Sequence, residues 1–254
     1  MILGDASLPQ QAGRPIITFG SIKIHVCHYN QNCRKQDKSA YNLRIPMLKS
    51  LHAQITRQAL GAYFAPQVLE TIITANLAQD HLRGQIGHDE YHFDNNALAQ
   101  GDAYLEEQRA QVLTALRDGR SLSAWRAFGR LTHAAQDFYA HSNYVRLWFS
   151  RYEDAAPPPP PEIDPVDLSL IHSPELRSGK LYYPLEVLYF FSLTRPLALA
   201  FLPPDSHAHM NLDSAEQGDL FQYAFHAAVK RTHLEFVILQ SALSSALLQL
   251  FTGK

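Results

Sequence analysis

An all-α, multi-helix bundle is the fold class this sequence predicts. Three observations carry it. Apolar residues recur at helical spacing through most of the chain after Pro46. Proline and glycine punctuate those stretches where helices should start and stop. One short segment, Ile22-Lys23-Ile24-His25-Val26, alternates with the period of a strand. It lies in a turn-rich stretch and predicts a short β element or an extended arm. The chain thus divides into an N-terminal arm, 1–45, and a single helical domain, 46–254, a length that suits one hydrophobic core.

From Pro46 onward, Met47, Leu48, Leu51, Ile55 and Leu60 predict a helix ending near Gly61. Pro66 in a first turn opens a second helix with Val68, Leu69, Ile72, Ile73 and Leu77 as its stripe. Residues 81–96 are polar and irregular. Residues 97–117 form a helix through Leu98, Tyr104, Leu105, Val112, Leu113 and Leu116, stopped at Asp118-Gly119. Ser121 or Ser123 caps the next helix, expected to run to about Tyr152. The run Pro157 to Pro161 allows neither helix nor central strand and predicts an extended surface spacer. It begins a Pro-rich insertion over about 155–205, in which Leu181 to Phe191 is aromatic and apolar and reads as helix. Ala215 to Leu250 is apolar throughout and predicts a buried helix or a kinked pair.

Composition narrows the function classes. The net charge of −2 gives no whole-chain attraction to nucleic acid or to an acidic membrane. No apolar run reaches the ~18 residues of a spanning helix. The start, MILGDASLPQQAGRP, lacks the basic and apolar regions of a signal peptide, so a cytoplasmic location is expected. Cys27 and Cys33, with His25 and His28 nearby, read as ordinary thiols ahead of a metal pair.

Histidine is the outlier, at 13 residues, and several stand beside carboxylates. HAAQDFYAHSN, from His133 to Asn143, places His133, Asp137 and His141 at i, i+4 and i+8, on one helix face. Imidazole and carboxylate on one face suit a zinc or mixed-metal site, although a solvated polar face has the same pattern. Other segments carry the same residue types: His52, Asp80, His92, and the run His207, His209 and Asp213. Each has an ordinary alternative. A lone His52 is a half-buried hydrogen-bonded histidine, and Asp80 is a helix-end carboxylate. His92 with Asp94 and Asn95 is a loop of Asx turns. Asp213 with Glu216 resembles a capping box. Their joint placement favours metal ligation.

TRQAL after His52, AN-x-x-QD ending at Asp80, YHFDN around His92, and HAAQDFYAHSN together resemble the Het-C-like branch of the zinc-dependent phospholipase C and single-strand nuclease superfamily. The resemblance covers about 48–148 and resumes at 205–240. It implies a mostly helical bundle of the zinc-dependent phospholipase C type. It also implies that His92, His133, Asp80 and Asp137 hold one zinc, and that Asp137 bridges to a second held by His52. His141 would bind a third with Asp213 and either His207 or His209. Secreted members of that superfamily use a free N-terminal tryptophan a few residues before the first histidine, and no tryptophan precedes His52 here. Two or three zinc ions are therefore expected.

The chemistry implied is phosphodiester hydrolysis of the phospholipase C kind by a zinc-bound hydroxide, with Asp80 as ligand and catalytic proton acceptor. A phospholipid or another phosphodiester would be the substrate. Tyr182, Tyr183, Tyr189, Phe190 and Phe191 form either a membrane contact or a packed core helix. A single-strand nuclease that stacks nucleic-acid bases is the enzyme alternative. A metal-stabilised structural or interaction protein, working in a larger assembly, is the non-catalytic one.

Overall fold

Residues 47–254, except 86, 153–154, 190 and 192, are described by a computed structural model. The arm over 1–45, with Ile22–Val26 and both cysteines, lies outside the described residues, as does Phe190.

Helix α1 (Met47–Leu60) and helix α2 (Pro66–Leu77) form where their stripes place them. Pro66 occupies the first turn of α2, where a missing N–H removes no helical bond. Val68, Leu69, Ile72 and Ile73 are buried, and a 3₁₀ turn, Ala78–Asp80, extends the helix. The polar stretch that follows contains two single-turn helices, α3 (Leu82–Gln85) and α4 (Asp89–His92). Next come α5 (Leu98–Arg117) and α6 (Ser121–His141).

Helix α6 is the centre of the bundle. From Ala127 to Tyr139 every residue except Arg130 is buried, and α1, α2, α5 and α12 (Leu220–Ala242) pack around it. A helix covered on all sides must be small, apolar or internally paired all round. The alanines, Phe128, Leu131, Phe138 and the paired polar side chains meet that requirement. Phe64, Phe128, Phe236 and Phe251 close the end of the core away from His141, with Phe64 centroids 5.8, 5.2 and 5.1 Å from the other three.

Gly129 sets how closely α6 approaches α2. A Cβ there would lie 2.4 Å from the Ile72 carbonyl oxygen and 2.9 Å from the Asn76 nitrogen. Gly129→Ala should therefore push the helices apart and cost ~1–3 kcal/mol as overpacking. A denaturant midpoint unchanged in that variant would rule out this contact.

The helix expected to continue to Tyr152 stops at His141. The Ser142 hydroxyl donates to the Phe138 carbonyl at 2.5 Å. Asn143 takes the chain into a lateral pairing: its N–H donates to Arg177 O, its Oδ1 accepts from Arg177 N, and its Nδ2 donates to Glu175 O. A separate helix, α7 (Tyr144–Phe149), follows.

The first part of the 155–205 segment belongs to the main core. After α8 (Leu168–Ile171) the chain pairs with the end of α6, and Ile163 and Leu170 are buried in the central cluster. The proline run lies along α12, where Tyr223 donates to Pro158 O and Lys230 to Ile163 O. Beyond it, α9 (Leu185–Tyr189) and α10 (Arg195–Phe201) have a small core of their own. Among the described residues, Leu181 to Phe191 is thus helical only over α9. A short helix, α11 (His207–Met210), precedes α12. The C-terminal stretch resolves as a pair: α12 ends at Ala242, and Ser244 caps α13 (Ser245–Thr252). Trp125 on α6 ties α13 down by donating to Phe251 O at 2.8 Å.

Among the described residues there is no strand or sheet, and no helix is long and apolar enough to cross a membrane.

Candidate metal centre

Five of the residues singled out by spacing meet at one point beside α6. His52 comes from α1, Asp80 from the 3₁₀ turn after α2, His92 from the end of α4, and His133 and Asp137 from α6. His92 Nδ1 lies 2.8 Å from Asp137 Oδ2, and His133 Nε2 lies 3.1 Å from both. The other Asp137 oxygen, Oδ1, lies 3.1 Å from His52 Nε2. Asp80 flanks the group, with Oδ1 3.7 Å from His133 Nε2 and Oδ2 4.0 Å from His52 Nε2. Asp137 therefore turns one oxygen to His92 and His133 and the other to His52, the arrangement of a bridging carboxylate.

The outer nitrogen of each ring faces an acceptor, which assigns the tautomers. His52 Nδ1 is 2.6 Å from Gln136 Oε1, whose Nε2 donates to Thr56 and Thr232 hydroxyls. His133 Nδ1 faces Asn76 Oδ1 at 3.4 Å, while Asn76 Nδ2 donates to Thr132 and Gln136. His92 Nε2 faces the Gly84 carbonyl at 3.2 Å. His141 Nδ1 faces the His92 carbonyl at 3.0 Å. Protons on those outer nitrogens leave the inner ones as lone pairs aimed at carboxylates. Orientation of metal-binding histidines by such outer partners is a general feature of metal sites.

The residues fit a cation. In neutral rings of these tautomers, His92 Nδ1, His133 Nε2 and Asp137 Oδ2 are acceptors in mutual contact with no hydrogen between them. Asp80 Oδ2, Asp94 Oδ1 and Asp137 Oδ1 are buried oxygens with no hydrogen-bond donor. Buried carboxylates without donors are costly unless a proton or metal ion compensates them. Protonation without metal follows the same logic. Burial works against a charge on His52, yet Asp137 and Asp80 outweigh it and lift the ring to about 9. Burial likewise opposes a charge on His141, but Asp94, Asp137 and Asp213 raise it well above the ordinary range. Burial pushes the Asp137 carboxyl up, and His133, His141 and His52 bring it well below.

A second group forms one helical turn along α6. Asp94, His141 and His207 can direct one ligand atom each to a common point. His141 Nδ1 is 3.3 Å from Asp94 Oδ1, and its Nε2 is 3.5 Å from Asp213 Oδ1. The His141 and His207 rings are 4.4 Å apart. Free carbonyls at the end of α6 organise this region: Leu212 N donates to Ala140 O, and Gly179 N to His141 O. Gly179 also lets His207 approach, since a Cβ there would be 2.6 Å from the His207 Cα.

Of the alternatives left open by spacing, the fold brings His207 to His141 and leaves His209 outside. The His209 ring is exposed and faces the Leu199 carbonyl. Residues 211–214 are not helical, so His209 and Asp213 do not share a helix face. Asp213 is a loop residue beside His141, not the first residue of a capping box. The sequence marks Asp94 only as an Asx-turn residue and does not mark Glu186 at all. Asp94 stands two residues from His92, and the left-handed Phe93 (φ 56°) swings it toward His141. That proximity was the available signal. Glu186 on α9 is fully buried 3.5 Å from His207 Nδ1, and nothing in its local sequence marks it.

The space at the centre is small. A cavity of about 20 Å³ opens between His52, Asp137 and Asp213, with Leu51, Ile55, Leu212, Phe225, Ala224 and Ala228 as apolar walls. That is room for about one water, against the ~300–1,000 Å³ of ordinary ligand pockets.

Comparison with known proteins corrects the family expected from the motifs. Residues 47–154 match the family model described as VWA7 N-terminal domain. The chain is similar to von Willebrand factor A domain-containing protein 7 of Rattus norvegicus, 39% identical over 79 residues, or 31% of this chain and 9% of that protein. The Homo sapiens protein of the same name is 37% identical over 94 residues, covering 34% and 10%. The Mus musculus protein is 36% identical over 95 residues, covering 34% and 11%. The matches thus span about a tenth of the length of these relatives. No solved structure matches the chain. The region that carried the resemblance to the Het-C-like branch is the region this family model matches, and that membership is withdrawn. With it fall the phospholipase C-like hydrolase and the nuclease alternative, because neither the family's description nor the relatives' names carries such an activity.

Proposed function

We propose that residues 46–254 form a metal-stabilised helical module, in which two or three zinc ions act as interior cross-links. His52, Asp80, His92, His133 and Asp137 hold one or two ions. Asp94, His141, His207 and Asp213 hold a further one. The observation that carries this reading is the contact of His92 Nδ1, His133 Nε2 and Asp137 Oδ2, within 3.1 Å of one another, beside buried carboxylate oxygens that lack donors. Imidazole with carboxylate suits zinc.

The small cavity supports a structural role over turnover. So does the origin of the ligands, which come from α1, the turn after α2, α4, α6 and α11. Helices α4 and α11 are four residues each, and an ion shared with α6 would hold them in place. Structural zinc contributes ~10–16 kcal/mol of apparent binding energy in small domains, enough to decide whether such segments are ordered. The relatives are about ten times longer than the matched segment, which agrees with a module that works inside a larger protein.

Elemental analysis of the purified chain should give two to three zinc ions per molecule. Ion binding must displace protons from the raised histidines, so apparent zinc affinity should weaken as pH falls below about 9, the value to which His52 is lifted. Chelation should lower the melting temperature. A chain that binds no zinc, and melts identically with and without chelator, would reject the proposal.

A further inference from the structure

Helices α9 and α10 are apolar on both faces. Their inner residues, Leu185, Leu188, Tyr189, Ala198, Leu199 and Leu202, pack into the small core with Ala208. Their outer residues are apolar as well: Val187, Leu197 and Phe201 are 42%, 58% and 68% exposed, and Phe191, just past the end of α9, is 60% exposed. Leu193, in the turn between the helices, is 91% exposed, and Tyr183 before α9 is 61% exposed. A short helical hairpin with apolar residues all round is covered in use, either by protein or by hydrocarbon.

Charge and shape select between those covers. From Tyr183 to Phe201 the chain has two charged residues, Glu186 and Arg195. Glu186 is fully buried, turned to the underside, where its carboxylate accepts from Ala208 N at 2.6 Å. Arg195 lies over the Tyr189 ring at 5.1 Å. The outer surface of the hairpin therefore presents no carboxylate and one cation among aromatic and aliphatic side chains. That composition complements an acyl layer beneath anionic headgroups. Leu193 has almost nothing beside it, so the turn projects. A projecting apolar turn enters fluid hydrocarbon without a preformed cavity, whereas a protein partner must supply one.

We propose that the α9–α10 hairpin is a membrane-docking element that seats Phe191, Leu193, Leu197 and Phe201 in the surface of a phospholipid bilayer, with Arg195 at the headgroup phosphates. The element lies in the interface and does not span, since α9 and α10 have five and seven residues. Its base is fixed: Glu186 holds the start of α11, and Tyr182 donates to Asp205 at 2.8 Å. The helices thus enter the bilayer as a preformed unit.

Flotation of the full chain with vesicles of phosphatidylcholine and phosphatidylserine tests this. The wild type should float with the vesicles. Leu193→Asp combined with Phe201→Asp should reduce the bound fraction about tenfold or more, since carboxylates at both positions must enter the interface. Both positions are exposed, so circular dichroism and melting temperature should be unchanged in that variant, and zinc content with them. Arg195→Gln should weaken binding to serine-lipid vesicles and flatten its salt dependence. Three results would overturn the proposal: no flotation of the wild type, equal flotation of the double variant, or a wild-type dimer that the double variant dissociates while neither floats. Zinc content is read on the same samples, so loss of the metal reading and loss of this one are distinguishable.

Discussion

Asp137→Asn is expected to remove at least one metal ion per chain and to lower the melting temperature by about 10 °C or more. The side chain turns one oxygen to His92 and His133 and the other to His52, so a single substitution weakens two ligand groups at once. An amide has nearly the same shape and makes no cavity. It replaces one acceptor with an N–H donor and removes the negative charge that draws cations to the site. Loss of stability alone would not separate a ligand from a buried charge partner. The separating readout is the response to chelator: the wild type should lose stability on chelation, and the variant should lose little more. Elemental analysis and calorimetry on both proteins check this, and a full zinc complement in Asp137→Asn would remove the residue from the bridging position.

Glu235→Ala is expected to destabilise the domain by ~3–5 kcal/mol without changing its zinc content. Glu235, on α12, is fully buried. Its Oε2 accepts from Arg109 Nε at 2.7 Å, and its Oε1 from Arg109 at 3.0 Å and from Arg231 Nε at 2.7 Å. Removing the carboxylate leaves the mostly buried Arg231 guanidinium without its anion and Arg109 with only the exposed Glu106, which is the costly way to break a buried pair. For a domain of this size the loss corresponds to a fall of about 10 °C in melting temperature.

The pH dependence of Glu235 has a definite sign. Burial pushes the carboxyl up, but Arg231 and Arg109 outweigh it and hold it below its ordinary value of 4.5. A carboxyl depressed in the folded state contributes stability above its unfolded value and loses it as pH falls through the folded one. The gap between wild type and Glu235→Ala should persist from neutral pH down to about 4.5 and narrow in stronger acid. A gap independent of pH would mean that the loss is packing and not charge.

Local spacing made most of the helical domain legible. The stripes of Leu51 to Leu60, Val68 to Leu77 and Leu98 to Leu116 report helices because period 3.6 and Gly or Pro punctuation are local properties. The break after His141 was not legible. Asn143 turns the chain off the helix through bonds to Glu175 and Arg177, more than thirty residues away. His133, Asp137 and His141 stood out for the same local reason as the helices. What HAAQDFYAHSN encodes is a buried helix carrying ligand-type side chains, and that requirement does not specify a reaction. This is why the motif led to a hydrolase family that comparison with known proteins did not support.

The sequence by itself determined that the domain is helical and that histidine and carboxylate line one face of α6. Both follow from residue type and spacing along a single helix. The tertiary structure alone decided that His207 and not His209 reaches His141, that Asp94 joins it, and that Glu186 lies beneath an apolar hairpin. Those outcomes depend on where loops cross. The left-handed turn at Phe93, the close approach at Gly179 and the carbonyls left open at the end of α6 set the crossings, and the last two are satisfied by partners far along the chain.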